Sequence, residues 1–159
     1  MSRPESRHAS ASHAGPDGIT PAADAAPLFV ASLPVRWRDL DAFNHVNNST
    51  YLTYLEEARL QWLQQVPDWF SAASVPVLAA SELHYRKPLV WPAQVQVELR
   101  CERLGNSSLT LAHCMVDAGD TDRLYCDGRS VLVWTNPATG KSVPLPTTIR
   151  AAVEVGAPG

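Results

Sequence analysis

Gln94 to Glu102 alternates strictly, with Val95, Val97, Leu99 and Cys101 on one side and Gln96, Glu98, Arg100 and Glu102 on the other. A period of two over nine residues fits a strand with one face buried and no other regular structure. Leu104-Gly105-Asn106-Ser107 then reads as a hairpin turn, and Leu109 to Val116 as the returning strand. Gly119-Asp120-Thr121-Asp122 gives a second turn before a strand over Leu124 to Thr135, with Gly128 expected as a bulge. The antiparallel run closes at Asn136-Pro137-Ala138-Thr139-Gly140.

Upstream of this run the spacing changes. Leu52, Leu55, Trp62, Leu63 and Val66 recur at helical spacing, and Pro67-Asp68 ends the pattern. Asn48 or Ser49 is the expected N-cap. Phe29 to Trp37 reads as a short strand pushed toward an edge by Pro34, and Val77 to Arg86 as another strand closed by Pro88 to Pro92. The order is strand, loop, one long helix, then about four strands in a meander, an α+β class with a single helix against one sheet face. One helix leaves the other face or an edge of the sheet open, so self-association is expected.

Residues 1–28 contain no aromatic ring and too few large aliphatic side chains to offset ordering entropy, so they read as a disordered tail. A folded domain is expected over 29–150 and a C-terminal tail over 151–159. The 159 residues suit one domain. Thirteen Lys+Arg against sixteen Asp+Glu leave no basic field for a nucleic acid. No apolar run reaches the roughly 18 residues of a membrane span, and residues 1–18 lack the apolar stretch of a signal peptide. A cytoplasmic protein follows as the expectation. Cys101, Cys114 and Cys126 read as reduced, buried thiols, and no metal ligand set stands out from them.

Chemistry concentrates between Trp37 and Asn48, where two carboxylates, a histidine and three side-chain amides enter a helix N-terminus. Unbonded N–H groups and the positive end of the helix dipole favour developing negative charge there. A carboxylate beside such a helix end is the minimum equipment for acyl transfer. The same residues also suit a local turn and cap, in which Asp and Asn satisfy nearby backbone. Asp39 reads as a solvated or capping neighbour, and Glu57 as a helix-surface carboxylate, exposed or beside Arg59.

The run RDLDAFNHVNNSTYLTYLEEARLQWL, followed by Leu83-His84-Tyr85-Arg86-Lys87-Pro88-Leu89, resembles the hotdog-fold acyl-CoA thioesterases of the 4-hydroxybenzoyl-CoA thioesterase-like branch. Those with LDxxxHVNN and YLxxLEEAR, the long-chain acyl-CoA thioesterases, are the most similar in look. The resemblance spans about residues 30 to 150. It implies a curved antiparallel sheet of about five strands wrapped around one long helix, a homodimer or homotetramer with its active site between subunits, and no cofactor. It also implies acyl-CoA hydrolysis with Asp41 as general base or nucleophile and the backbone N–H of Asn48 polarising the carbonyl. His45 matches the HVNN histidine that would orient Asp41 or the loop. Asn47, in the matched HVNN, and Tyr51, as core or pocket wall, are the expected substrate contacts. A carrier with several negative charges needs cations at the pocket mouth, so Arg86 and Lys87 read either as ligands of the coenzyme A phosphates or as ordinary surface charge. Plant acyl-ACP thioesterases share a similar loop but place an asparagine where this chain has Phe43, so that role does not transfer. A non-catalytic acyl-CoA-binding module and an acyl-ACP thioesterase are the alternative functions.

Overall fold

A computed structural model describes residues 26–155. Five strands, β1 (Phe29–Pro34), β2 (Val75–Tyr85), β3 (Gln94–Leu104), β4 (Ser108–Asp117) and β5 (Leu124–Thr135), form one antiparallel sheet. The helices are α1 (Asn48–Leu63) and α2 (Thr147–Val155), and a 3-10 turn covers Trp37–Asp39. The expected tail over residues 1–28 falls largely outside the described residues. Its last residue does not: the Leu28 N–H donates to Leu99 O at 2.7 Å, extending the pairing of β1 with β3.

The strand order β1-β3-β4-β5-β2 departs from a plain meander. Tight turns keep β3, β4 and β5 adjacent. Between β1 and β2 the chain passes through α1, and β2 joins the sheet at the far edge beside β5. Pro34 terminates β1 on the opposite edge, where a missing N–H costs least. The alternation in β3 is realised as read: Val95, Val97 and Leu99 are buried and meet Leu109, Leu111 and Met115 of β4 under α1. Cys101 is only half-buried, beside the register shift between Cys101 and Arg103.

The helix turns most of the expected face inward, with Leu52 as the exception and Tyr54 and Arg59 as additions. Tyr51, Tyr54, Leu55, Ala58, Arg59, Trp62 and Leu63 are buried, while Leu52 is 44% exposed. Val66 is buried just beyond the helix end. The N-cap is Asn47 and not Asn48 or Ser49, because Asn47 Oδ1 accepts from the Ser49 N–H at 3.0 Å and its hydroxyl at 2.8 Å.

A second helix replaces the C-terminal tail expected from residue 151. α2 runs through that boundary, buries Ile149 and Val153 one turn apart, and is tied down by Arg150 donating to Gly105 O at 2.8 Å. Gly128 is not a bulge. It pairs in continuous register with Leu83 and His113, and a Cβ there would run into the Glu82 carbonyl. Its role is close approach of two backbones.

Candidate active site

The segment before α1 is folded on itself. The Asp41 N–H donates to His45 O at 2.7 Å, the Asn44 N–H to Asp41 O at 3.2 Å, and Leu40 bridges Val46. Asn44 takes a left-handed φ of 59°, which asparagine tolerates. Asp41 Oδ1 accepts from the Phe43 N–H at 2.8 Å and the His45 N–H at 3.2 Å. Both bonds fall on one oxygen, so among the described residues Oδ2 has no partner and is left for a substrate or water. The local Asx turn and a catalytic assignment are therefore compatible, since the turn fixes the carboxylate without consuming it.

Two contacts seat this loop against the body. The Val46 N–H donates to Leu89 O at 2.8 Å, and the Asn47 N–H to Asp39 O at 2.9 Å. At the helix entrance the N–H groups of Asn47, Ser49 and Thr50 are all bonded, whereas that of Asn48 has no partner among the described residues. Asn48 is exposed and opens the helix, so its unbonded N–H lies at the positive end of the helix dipole. The Tyr85 hydroxyl donates to Asn48 O at 2.9 Å and pins this residue from β2. The sequence alone assigns Tyr85 no role; nothing local marks a contact made from 37 residues away.

The remaining expected site residues differ in character. His45 is exposed, and it reaches Asp41 through its backbone N–H, with no described bond to its ring. Asn47 Oδ1 is taken up by the cap. Tyr51 is 2% exposed, its hydroxyl accepts from the Leu89 N–H at 3.2 Å, and its ring meets Tyr85 edge-on at 5.1 Å. Burial pushes its phenol up to about 12, so at neutral pH it is an uncharged prop for the Leu89 segment. Arg86 is not a free cation: its Nε and Nη2 grip the Asp127 carboxylate at 3.0 and 2.9 Å. Lys87 is exposed with no described side-chain partner, one residue further on. Both follow Tyr85 and so lie at the Asn48 end of α1. Glu57 is half-buried and accepts from Gln61 at 3.4 Å, while Arg59 bonds Ser130 instead.

Asp39 is buried and not solvated. Tyr54 donates to Asp39 Oδ2 at 2.5 Å, the Arg36 N–H at 3.0 Å and Arg36 Nε at 3.4 Å. Burial by itself would raise its pKa, but the Tyr54 and Arg36 hydrogen bonds and the Arg36 charge together hold it below the usual 3.8. Asp39 caps the 3-10 turn and fixes where Asp41 begins. Asp39→Asn is expected to cost about 1–3 kcal/mol of stability at pH 7. A carboxylate with a lowered folded pKa stabilises above its unfolded pKa and loses that contribution as pH falls. Urea titrations of both proteins should therefore show the difference at pH 7 shrinking by pH 3; an unchanged difference would contradict the role.

The thioesterase-like superfamily profile matches residues 35–153, most of the chain and all of the geometry above. The chain belongs to the thioesterase-like superfamily. This thioesterase is 26% identical over 125 residues to the long-chain acyl-CoA thioesterase FadM of Escherichia coli, covering 77% of this chain and 94% of FadM. Among solved structures, the PA2801 protein of Pseudomonas aeruginosa is 45% identical with a TM-score of 0.76, covering 80% of this chain and 98% of that one. A thioesterase of Thermus thermophilus solved with coenzyme A and zinc is 34% identical with a TM-score of 0.69, covering 82% and 94%. The arrangement of sheet and helix is the hotdog fold, and the activity is thioester hydrolysis. Among the described residues no helix is long and apolar enough to cross a membrane.

Proposed function

We propose that this thioesterase hydrolyses acyl-CoA to the free acid and coenzyme A, with Asp41 as the catalytic carboxylate and the Asn48 N–H as the carbonyl-polarising donor. The observation that carries this is one braced loop holding a carboxylate oxygen and a helix N–H that both lack a hydrogen-bond partner among the described residues. Attack on the thioester carbon puts negative charge on the carbonyl oxygen, where a fixed donor is worth most. By one route Asp41 removes a proton from water as its oxygen bonds to carbon. By the other, Asp41 attacks directly and water hydrolyses the mixed anhydride. In both the C–S bond breaks and the departing thiolate of coenzyme A takes up a proton. The named activity of FadM and the coenzyme A in the Thermus structure support a CoA thioester as substrate. Lys87 is the cation best suited to its phosphates, since Arg86 already serves Asp127. A non-catalytic binding module would have no use for this pairing. Thiol release measured over acyl-CoAs from short to long, with an aryl-CoA beside them, tests the reading; saturable release is expected, and none from any member would overturn it.

The working unit in this reading is a homodimer or a dimer of dimers. Among the described residues the outer edge of β2 is unpaired, and β2 carries Val77 at 47% and Leu78 at 46% exposure; Leu52 and Leu60, two turns apart on α1, are 44% and 43% exposed. An open edge beside an apolar helix stripe suits a second copy of the same surface. Sedimentation at micromolar concentration should give a dimer or tetramer, and an active monomer would contradict it. The protein is read as cytoplasmic on composition.

A further inference from the structure

The C-terminal half of α1 borders a cleft of about 250 Å³, with Leu60, Leu63, Trp69, Phe70, Leu78 and Leu132 among its walls. Its charged lining residues are Glu56 and Arg59. Arg59 is only 6% exposed, and its one described hydrogen bond runs from Nη1 to Ser130 Oγ at 3.2 Å. Its other nitrogens are not among the sealed, unpartnered side-chain atoms, and the residue lines the cleft. Among the described residues no carboxylate forms an ion pair with them. His113, 5% exposed, has an unpartnered buried Nε2, and burial together with the Arg59 charge lowers its pKa to about 4, which leaves it neutral. A guanidinium with unused donors in an apolar wall calls for an oxygen acceptor.

Position narrows the ligand. Glu56 and Arg59 follow Asn48 by two to three helical turns, roughly 12–16 Å along the axis. An extended chain advances roughly 1.2 Å per bond, so the pair lies about ten to fourteen bonds from a carbonyl held at Asn48. An aryl ring is too short to reach it. A hydroxyl accepts from Arg59 and donates to Glu56, whereas a carboxylate attracted by one is repelled by the other. A plain methylene chain leaves the Arg59 donors facing hydrocarbon.

Resting on the acyl-CoA reading above, we propose that this cleft receives the distal acyl chain and that Glu56 and Arg59 select chains hydroxylated about ten to fourteen bonds from the thioester. The test is kcat/KM for 12-hydroxydodecanoyl-CoA against dodecanoyl-CoA and 3-hydroxydodecanoyl-CoA with the intact protein. A preference of about tenfold for the first over both others is expected, the effect of one buried hydrogen bond. Glu56 is exposed, so Glu56→Ala should fold, and it should reduce that ratio severalfold. Equal rates for the plain chain, an unchanged ratio in Glu56→Ala, or a stronger preference for the ω-carboxyl chain of the same length would each overturn the proposal. These outcomes leave thioester hydrolysis standing, whereas failure to cleave every acyl-CoA removes the reading beneath it.

Discussion

Asp41→Asn is expected to lower kcat on the best acyl-CoA by roughly a hundredfold or more, the usual loss when a general base is removed, with little change in Tm. Asparagine keeps an Oδ1 able to accept from the Phe43 and His45 N–H groups, so the loop stays closed while the negative charge disappears. Coenzyme A binding should persist, because no described contact of Asp41 leads to Arg86 or Lys87. Asp39→Asn makes the contrast: it should cost stability and far less of the chemical step, since Asp39 is sealed by Tyr54 and Arg36. Steady-state thiol release and thermal melts on the two variants separate these effects. Hydrolysis by Asp41→Asn at near wild-type rate would remove Asp41 from the mechanism and make Glu57 the next carboxylate to test.

The largest expected effect on stability is at Gly128. Its neighbours leave no room: a Cβ would meet the Glu82 carbonyl, with the Glu82 carbonyl carbon at 2.8 Å and His113 Nε2 at 3.1 Å. Backbone cannot yield as a side chain does, so Gly128→Ala must part β2 from β5 or distort both. A loss of about 3 kcal/mol or more is expected, lowering Tm by roughly 10 °C. Gly140→Ala is the control; that residue has φ +67° but nothing within 4 Å of the added carbon, so its cost is that of left-handed backbone alone, about 1–2 kcal/mol. Similar melting temperatures for the two variants would contradict the close-approach account.

The strands are legible in the sequence where local pattern decides them. Leu124 to Thr135 reads as a strand to the residue, and the alternation in Gln94 to Glu102 marks the buried face correctly through Leu99. Pairing partners are another matter, because β2 finds β5 across more than forty residues and no local signal encodes which edge it takes. The buried helix face is wider than its apolar spacing for a related reason. Tyr54 and Arg59 do not belong to that spacing, yet one is buried by its bond to Asp39 and the other by Ser130, partners supplied by other elements. α2 escapes sequence reading because Ile149, Ala152 and Val153 make only a short apolar stripe, little more than one turn long, after Pro146. Asp41 and Asn48 stand out because their chemistry is local: a carboxylate and a helix entrance seven residues apart in one loop. The supports from Tyr85 and Leu89 come from elsewhere in the chain, and only the fold reveals them.

The central claim is that the thioester carbonyl rests on the Asn48 N–H beside Asp41. Titrating the ¹⁵N-labelled protein with an acyl-CoA analogue whose sulfur is replaced by methylene tests it most directly, since the ketone keeps the carbonyl and resists hydrolysis. The Asn48 amide resonance should move downfield as the ligand saturates, among the largest shifts in the spectrum, with smaller changes at His45 and Phe43 as their bonds to Asp41 adjust. Saturable binding that leaves the Asn48 amide in place would contradict the account.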